Sequence, residues 1–176
     1  MDALSGPFFA VCVLLALAGG FKIVRPRPTV GAARAVRLPA SPQLVRVFGI
    51  GEVAVGAGAA ATGWAPLAAV VAVAYAGFAG FVVAARRRGT AIQSCGCFGS
   101  DDLPPTRIHL VVNVAASLVA GAAAITRLDG APSVVADQPL AGVPFVLLVG
   151  VTVWFLYLLL TALPAALHPS TSARSR

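Results

Sequence analysis

Long apolar blocks separated by short charged segments run along the whole chain. A stretch of about 18 or more apolar residues with few charges is long enough to cross the bilayer's hydrocarbon core as a helix. The pattern therefore predicts five transmembrane helices, over residues 6–24, 44–62, 64–85, 108–126 and 140–163.

The second block, residues 44–62, carries the weakest signal of the five. Arg46 and Glu52 lie in it, and many Gly and Ala residues dilute its hydrophobicity. A four-helix alternative, in which this block lies at the membrane interface, stays open. In both cases we expect an all-α integral membrane protein, with one compact helical domain over residues 1–168 and a disordered tail over 169–176.

Composition agrees with the membrane assignment. Hydrophobic residues make up 59% of the 176 positions and charged residues 11%, and the mean hydropathy is +0.90. A soluble domain of this size needs far more charge to cover its surface. These values exclude an ordinary soluble globular protein.

The first apolar block differs from a cleavable signal peptide. A signal peptide has positive charge before its apolar core, whereas here Asp2 precedes the core and Lys22 and Arg25 follow it. We expect a retained helix with its N-terminus outside, in which Cys12 is a small buried apolar residue.

Basic residues predict the orientation of the helices in the membrane. With five spans, all but one of the 13 Lys and Arg residues fall on one side, and Arg127 is the exception. The positive-inside rule assigns that side to the cytoplasm. The net charge of +7 is therefore a topology signal. Without interleaved aromatic residues it gives no reason to expect nucleic acid binding.

Two connections between the predicted helices have a composition of their own. "RPRPTVGAARAVRLPASPQ" is rich in Pro, Ala and Arg, which predicts an irregular or interfacial segment against anionic lipid. "RLDGAPSVVADQP" carries turn signals at Asp129-Gly130 and at Pro132.

The stretch "SCGCFGSDD", residues 94–102, holds the cysteines closest to one another in the chain, Cys95 and Cys97. The predicted topology assigns it to a cytoplasmic loop. Thiolates are the reactive form of cysteine, and nearby positive charge or a helix N-terminus favours them. Arg86–Arg88 precede the pair and Arg107 follows it. A disulfide across a single glycine is strained, and strained disulfides exchange readily.

Several polar residues interrupt the apolar blocks at one predicted membrane depth. Lys22 ends the first helix and Glu52 lies inside the second, so we expect them to pair, because a charge inside a bilayer needs a partner. His109, Asn113 and Ser117 follow one another at a spacing of four and share a helix face.

Each of these residues also has a structural interpretation. Lys22 could extend its ammonium to the interface, and Glu52 could belong to a purely structural ion pair. His109 could be an interfacial residue, and Asn113 and Ser117 could hydrogen-bond between helices. Small residues predict close helix packing; they are Gly49, Gly56, Ala60 and Gly63 in the second helix and Ala72, Ala76 and Gly80 in the third.

Four segments together resemble the MauE family, methylamine utilisation proteins related to DoxX-type membrane proteins. They are "AGGFKIV", "GEVAVGAG", "CGCFG" and "RIHLVVN", and the similarity extends over about residues 8–126. The resemblance implies a four-helix DoxX-like core plus one further helix. It also implies that Cys95 and Cys97 are a redox pair, accompanied by Lys22, Glu52 and Asn113.

The function that the resemblance implies is assistance with disulfide formation or electron transfer during maturation of other proteins. A thioredoxin-like protein or a maturing disulfide-containing protein would be the partner, and a quinone is a candidate electron acceptor. Two alternatives stay open from the residues alone. One is a Cu(I) site on Cys95 and Cys97, with His109 or Asp101 as further ligands, and the other is a scaffold protein without catalysis.

Overall fold

The structure, a computed structural model, describes residues 3–87, 106–126 and 128–167. Within these ranges it is helical and contains no strand, and five helices are long and apolar enough to cross a membrane. The helices are α1 (Ser5–Val24), α2 (Pro26–Ala35), α3 (Pro42–Thr62), α4 (Ala65–Arg87), α5 (Arg107–Thr126), α6 (Ala131–Ala136) and α7 (Val143–Leu167).

The five predicted membrane helices are confirmed as α1, α3, α4, α5 and α7. The uncertain second block forms α3, a helix of 21 residues, so the five-helix prediction replaces the four-helix alternative. The predicted fifth helix starts late, because a 3-10 turn, Pro139–Gly142, precedes α7. The predicted tail, 169–176, lies outside the described residues.

Helix α1 occupies the centre of the bundle. Residues 8–12 are five successive buried positions, so protein covers most of the surface of this helix, while Val13 and Leu17 are partly exposed. Helix α3 runs antiparallel to it, since Gly19 faces Gly49 while Cys12 faces Gly56. The prediction that Cys12 is buried is confirmed.

Close approach between α1 and α3 depends on glycine. A β-carbon on Gly49 would lie 2.6 Å from the carbonyl oxygen of Gly19, and one on Gly19 would lie 2.5 Å from that of Gly49. The packing prediction is therefore correct for Gly49 and Gly56. It is wrong for Ala76 and Gly80, which are exposed on α4.

Helices α4 and α5 form a second antiparallel pair. Ser117 on α5 donates a hydrogen bond to the carbonyl oxygen of Ala72 on α4 at 2.9 Å, which confirms its predicted role between helices. The α3–α4 turn is short because Gly63 adopts a left-handed conformation, with φ of 62°, and ends α3.

Helix α7 packs along one narrow stripe of its surface, formed by Phe145, Val153 and Leu160. It runs parallel to α1: the rings of Phe9 and Phe145 meet near one end, and those of Phe21 and Tyr157 near the other. Most of its other large apolar residues are exposed, as expected for a helix that faces lipid on most sides.

The first connection is more regular than predicted. Residues 26–35 form the helix α2, so the irregular alternative is wrong for these residues, and the interfacial location stays a prediction. Pro26 and Pro28 lie in the first helical turn, where backbone N–H groups have no partner within the helix, and proline is tolerated there. Helix α2 packs against the end of α4, through Ala32 and Ala85.

Candidate functional site

A buried ion pair joins α1 to α3. The ammonium of Lys22 donates hydrogen bonds to both carboxylate oxygens of Glu52, at 2.7 and 2.8 Å. Each residue is only 4% exposed. The predicted pair is present, and the interpretation of Lys22 as an interfacial side chain is wrong because its ammonium lies inside the bundle.

The glycine contact determines the position of this pair. Gly19 lies one helical turn before Lys22, and Gly49 lies one turn before Glu52. Because neither glycine has a side chain, the two backbones approach closely enough for the ammonium and the carboxylate to meet.

Two aromatic rings complete the surroundings of the ammonium. The Nζ atom of Lys22 lies 5.0 Å from the ring centroid of Phe78 and 5.7 Å from that of Phe48, both within the range of cation–π attraction. The rings belong to α4 and α3, so the pair connects three helices.

The first turns of α5 carry the other two predicted polar residues. His109 is 1% exposed, so its side chain lies inside the bundle. Its Nδ1 atom lies 2.9 Å from the hydroxyl of Thr106, and the amide of Asn113 donates to the carbonyl oxygen of His109 at 2.7 Å. Asn113 therefore bonds within its own helix in addition to facing the bundle interior.

A small cavity brings these residues together. It has a volume of about 20 Å³, and Lys22, Tyr75, His109 and Asn113 contribute to its lining. This volume is enough for one water molecule, which needs polar partners of this kind. The predicted convergence of Lys22, His109 and Asn113 is present in the structure.

Tyr75, Phe78 and Phe48 are site residues that the sequence pattern did not reveal. Tyr75 donates a hydrogen bond from its hydroxyl to the carbonyl oxygen of Val11 at 2.7 Å and is buried. A tyrosine inside an Ala- and Val-rich helix, three residues before a phenylalanine, was the available signal.

The predicted redox pair, Cys95 and Cys97, lies outside the described residues, and so does Asp101. The segment that carries them joins the end of α4 to the start of α5 in the chain. In the ranges that the structure describes, no three His, Cys, Asp or Glu side chains come together as a metal site.

One end of the bundle carries most of the described positive charge. Because the spans alternate in direction, the end of α1, the start of α3, the end of α4 and the start of α5 lie at this end. The basic residues there are Arg25, Arg27, Arg34, Arg37, Arg46, Arg86, Arg87 and Arg107. At the opposite end Asp129 and Asp137 are exposed.

Comparison with known protein families shows which family the chain matches. The profile of the family "Methylamine utilisation protein MauE" matches residues 3–127. No curated protein matches the chain significantly, and neither does any solved structure. The matched region includes α1 to α5 and leaves α6 and α7 outside it. Since it takes in 125 of the 176 residues, together with the whole polar site described above, the chain belongs to the MauE family.

Proposed function

We propose that this multi-pass membrane protein performs thiol redox chemistry through Cys95 and Cys97. In this role it assists disulfide formation or electron transfer during the maturation of other proteins. The exchange partner is a thioredoxin-like protein or a maturing protein that contains a disulfide.

The observation that carries the proposal is the buried polar site at the Arg-rich end of the bundle. Lys22, which is paired with Glu52, lines the same small cavity as His109 and Asn113. Charged side chains inside a membrane helix cost on the order of 3 kcal/mol each on insertion scales, and they are typical of functional sites. Oxidation of two thiols to a disulfide releases two protons, and ionisable groups near such a reaction can take them up.

The same proposal includes the location and the orientation. The Arg-rich end faces the cytoplasm of a bacterial inner membrane, with the N-terminus outside and the C-terminus inside. The segment between α4 and α5 then belongs to the cytoplasmic side, where glutathione and thioredoxin keep most thiols reduced. Cys95 and Cys97 accordingly exchange electrons with cytosolic or membrane partners.

Labelling with a membrane-impermeant maleimide tests the proposal. A Cys12→Ala variant removes the third cysteine, so that labelling reports on Cys95 and Cys97 alone. We expect no labelling of intact cells, and labelling after permeabilisation that increases when a reductant is added.

Two outcomes contradict the proposal. Strong labelling from outside intact cells would overturn the orientation, and labelling that never changes with reductant or oxidant would overturn the redox role. A Cys95→Ser/Cys97→Ser variant should remain in the membrane at normal abundance while it loses the redox-dependent function. A variant that only falls in abundance would favour the scaffold alternative.

A further inference from the structure

A second, larger concavity opens on the side of the bundle between α2, α3 and α4. Its volume is about 560 Å³, and its walls are almost entirely apolar. Leu44, Phe48 and Val73 line it and are more than half exposed, in positions that face the lipid of a bilayer. The groove is therefore open to molecules dissolved in the membrane.

The inner end of this groove is polar because Lys22 contributes to its lining. An ammonium has three N–H donors, and Glu52 accepts hydrogen bonds from two of them. The other described contacts of the ammonium are the rings of Phe48 and Phe78, which both line the groove. The described contacts thus use two of the three N–H donors, and the rings described next to the ammonium are rings that line the groove.

Charge limits which molecules fit this end. The carboxylate of Glu52 neutralises the ammonium of Lys22, so the pair has no net charge to attract an anion into the apolar groove. A neutral molecule with a carbonyl oxygen can accept the remaining N–H, and a flat ring beside that oxygen can pack against Phe48, Phe78 and Phe81. A plain acyl chain would make no use of the donor.

Lys22 also connects the groove to the small cavity that contains His109 and Asn113, because it contributes to the lining of both. A ligand whose oxygen is hydrogen-bonded to Lys22 would lie next to groups that can pass protons. A molecule that takes up protons at its carbonyl oxygens when it is reduced matches this arrangement.

We propose that the groove binds a membrane quinone, with its ring between the phenylalanines and one carbonyl oxygen hydrogen-bonded to Lys22. This proposal rests on the proposed thiol redox function for its purpose. Two thiols that form one disulfide release two electrons and two protons, and one quinone takes up both pairs to become one quinol.

Filling the groove without disturbing the bundle provides the test. Gly77 lines the groove, and a β-carbon on it would meet no atom within 4 Å. Gly80 lies on the same helix, has equally open surroundings and is not among the lining residues, so Gly80→Leu is a matched control for Gly77→Leu.

The measurement is the amount of decylubiquinone bound to purified full-length protein in detergent micelles, quantified by chromatography over a range of quinone concentrations. We expect saturable binding near one quinone per chain for the unmodified protein and Gly80→Leu, and at least about tenfold weaker binding for Gly77→Leu. The Lys22→Met/Glu52→Met variant should also bind about tenfold more weakly, since it loses a hydrogen bond from a charged donor.

Three outcomes would overturn the quinone site: equal binding by both leucine variants, binding that never saturates, or a co-purifying phospholipid that decylubiquinone fails to displace. The Cys95→Ser/Cys97→Ser variant separates this inference from the redox proposal. It should bind quinone normally. If the unmodified protein binds quinone but its thiol pair never cycles, that result would contradict the redox function alone.

Discussion

Lys22 and Glu52 illustrate how single residues act in this protein. Both are buried, and each is the other's closest charged partner in the described part of the chain. Removing one member of a buried pair leaves an uncompensated charge, whereas replacing both with apolar residues is often neutral for stability. The presence of the pair is therefore better explained by function than by stability.

Substitution of the pair tests this explanation at the residue scale. We expect Lys22→Met to lower the free energy of unfolding by about 3 to 5 kcal/mol, because the carboxylate of Glu52 stays buried without a partner. Lys22→Met/Glu52→Met should recover most of this loss and still lack thiol redox cycling. Stability is measured from the unfolding transition in mixed micelles.

Arg46→Met provides the control for this experiment. Arg46 is an exposed basic residue on α3, and its replacement should change the free energy of unfolding by less than about 0.5 kcal/mol. Equal effects of Lys22→Met and Arg46→Met would mean that breaking the buried pair lowers the free energy of unfolding no more than replacing an exposed arginine does.

At the scale of the helices, the pairing of α1 with α3 determines the site. Gly19 and Gly49 bring the two backbones together, and the two residues of the ion pair flank this contact: a β-carbon on Gly19 would lie 2.9 Å from the Cβ atom of Glu52, and one on Gly49 would lie 3.1 Å from that of Lys22. Small residues allow this approach in membranes, where van der Waals packing between helices replaces the hydrophobic effect. The sequence pattern identified Gly49 as a packing residue, and its contact with Gly19 became known only from the fold.

Alanine substitutions on α3 test the close contact. In Gly49→Ala the new methyl group would meet the backbone of Gly19, so we expect a loss of about 1 to 3 kcal/mol in the free energy of unfolding. Gly51→Ala is the control on the same helix, because a β-carbon there meets no atom within 4 Å. It should be neutral or slightly stabilising, as alanine favours helices over glycine. Similar losses in both variants would argue against the contact.

Across the whole molecule, charge is divided between the two ends of the bundle. Eight described arginines lie at the end that carries α2, and two exposed aspartates lie at the other end. The positive-inside rule depends on such a bias in short connections. The predicted orientation of the entire protein rests on this distribution.

Introduced cysteines test the orientation independently of the natural ones. In a Cys12→Ala/Cys95→Ser/Cys97→Ser background, Ser133→Cys and Gly31→Cys place exposed thiols at opposite ends of the bundle. We expect an impermeant maleimide to label Ser133→Cys in intact cells and Gly31→Cys only after permeabilisation. The reverse pattern would contradict the predicted orientation.

The sequence by itself determined the membrane class, the five spans and the polar residues at one depth. Hydropathy is a local property, so the predicted ends of α1, α3 and α5 agree with the structure, at Val24, Thr62 and Thr126. The predicted ends of α4 and α7, near residues 85 and 163, fall short of the observed ends at Arg87 and Leu167. The ion pair was also predictable, because Lys22 and Glu52 are charges that a bilayer does not tolerate alone.

Only the tertiary structure decided which helix faces pack against one another. The burial of His109, the position of Tyr75 beside it and the groove along Gly77 depend on how each helix is rotated against its neighbours. That rotation results from contacts between distant segments, such as Gly19 with Gly49, which no local pattern specifies. Helix α2 was missed for a different reason: prolines that usually interrupt helices here occupy a first turn, where they are tolerated.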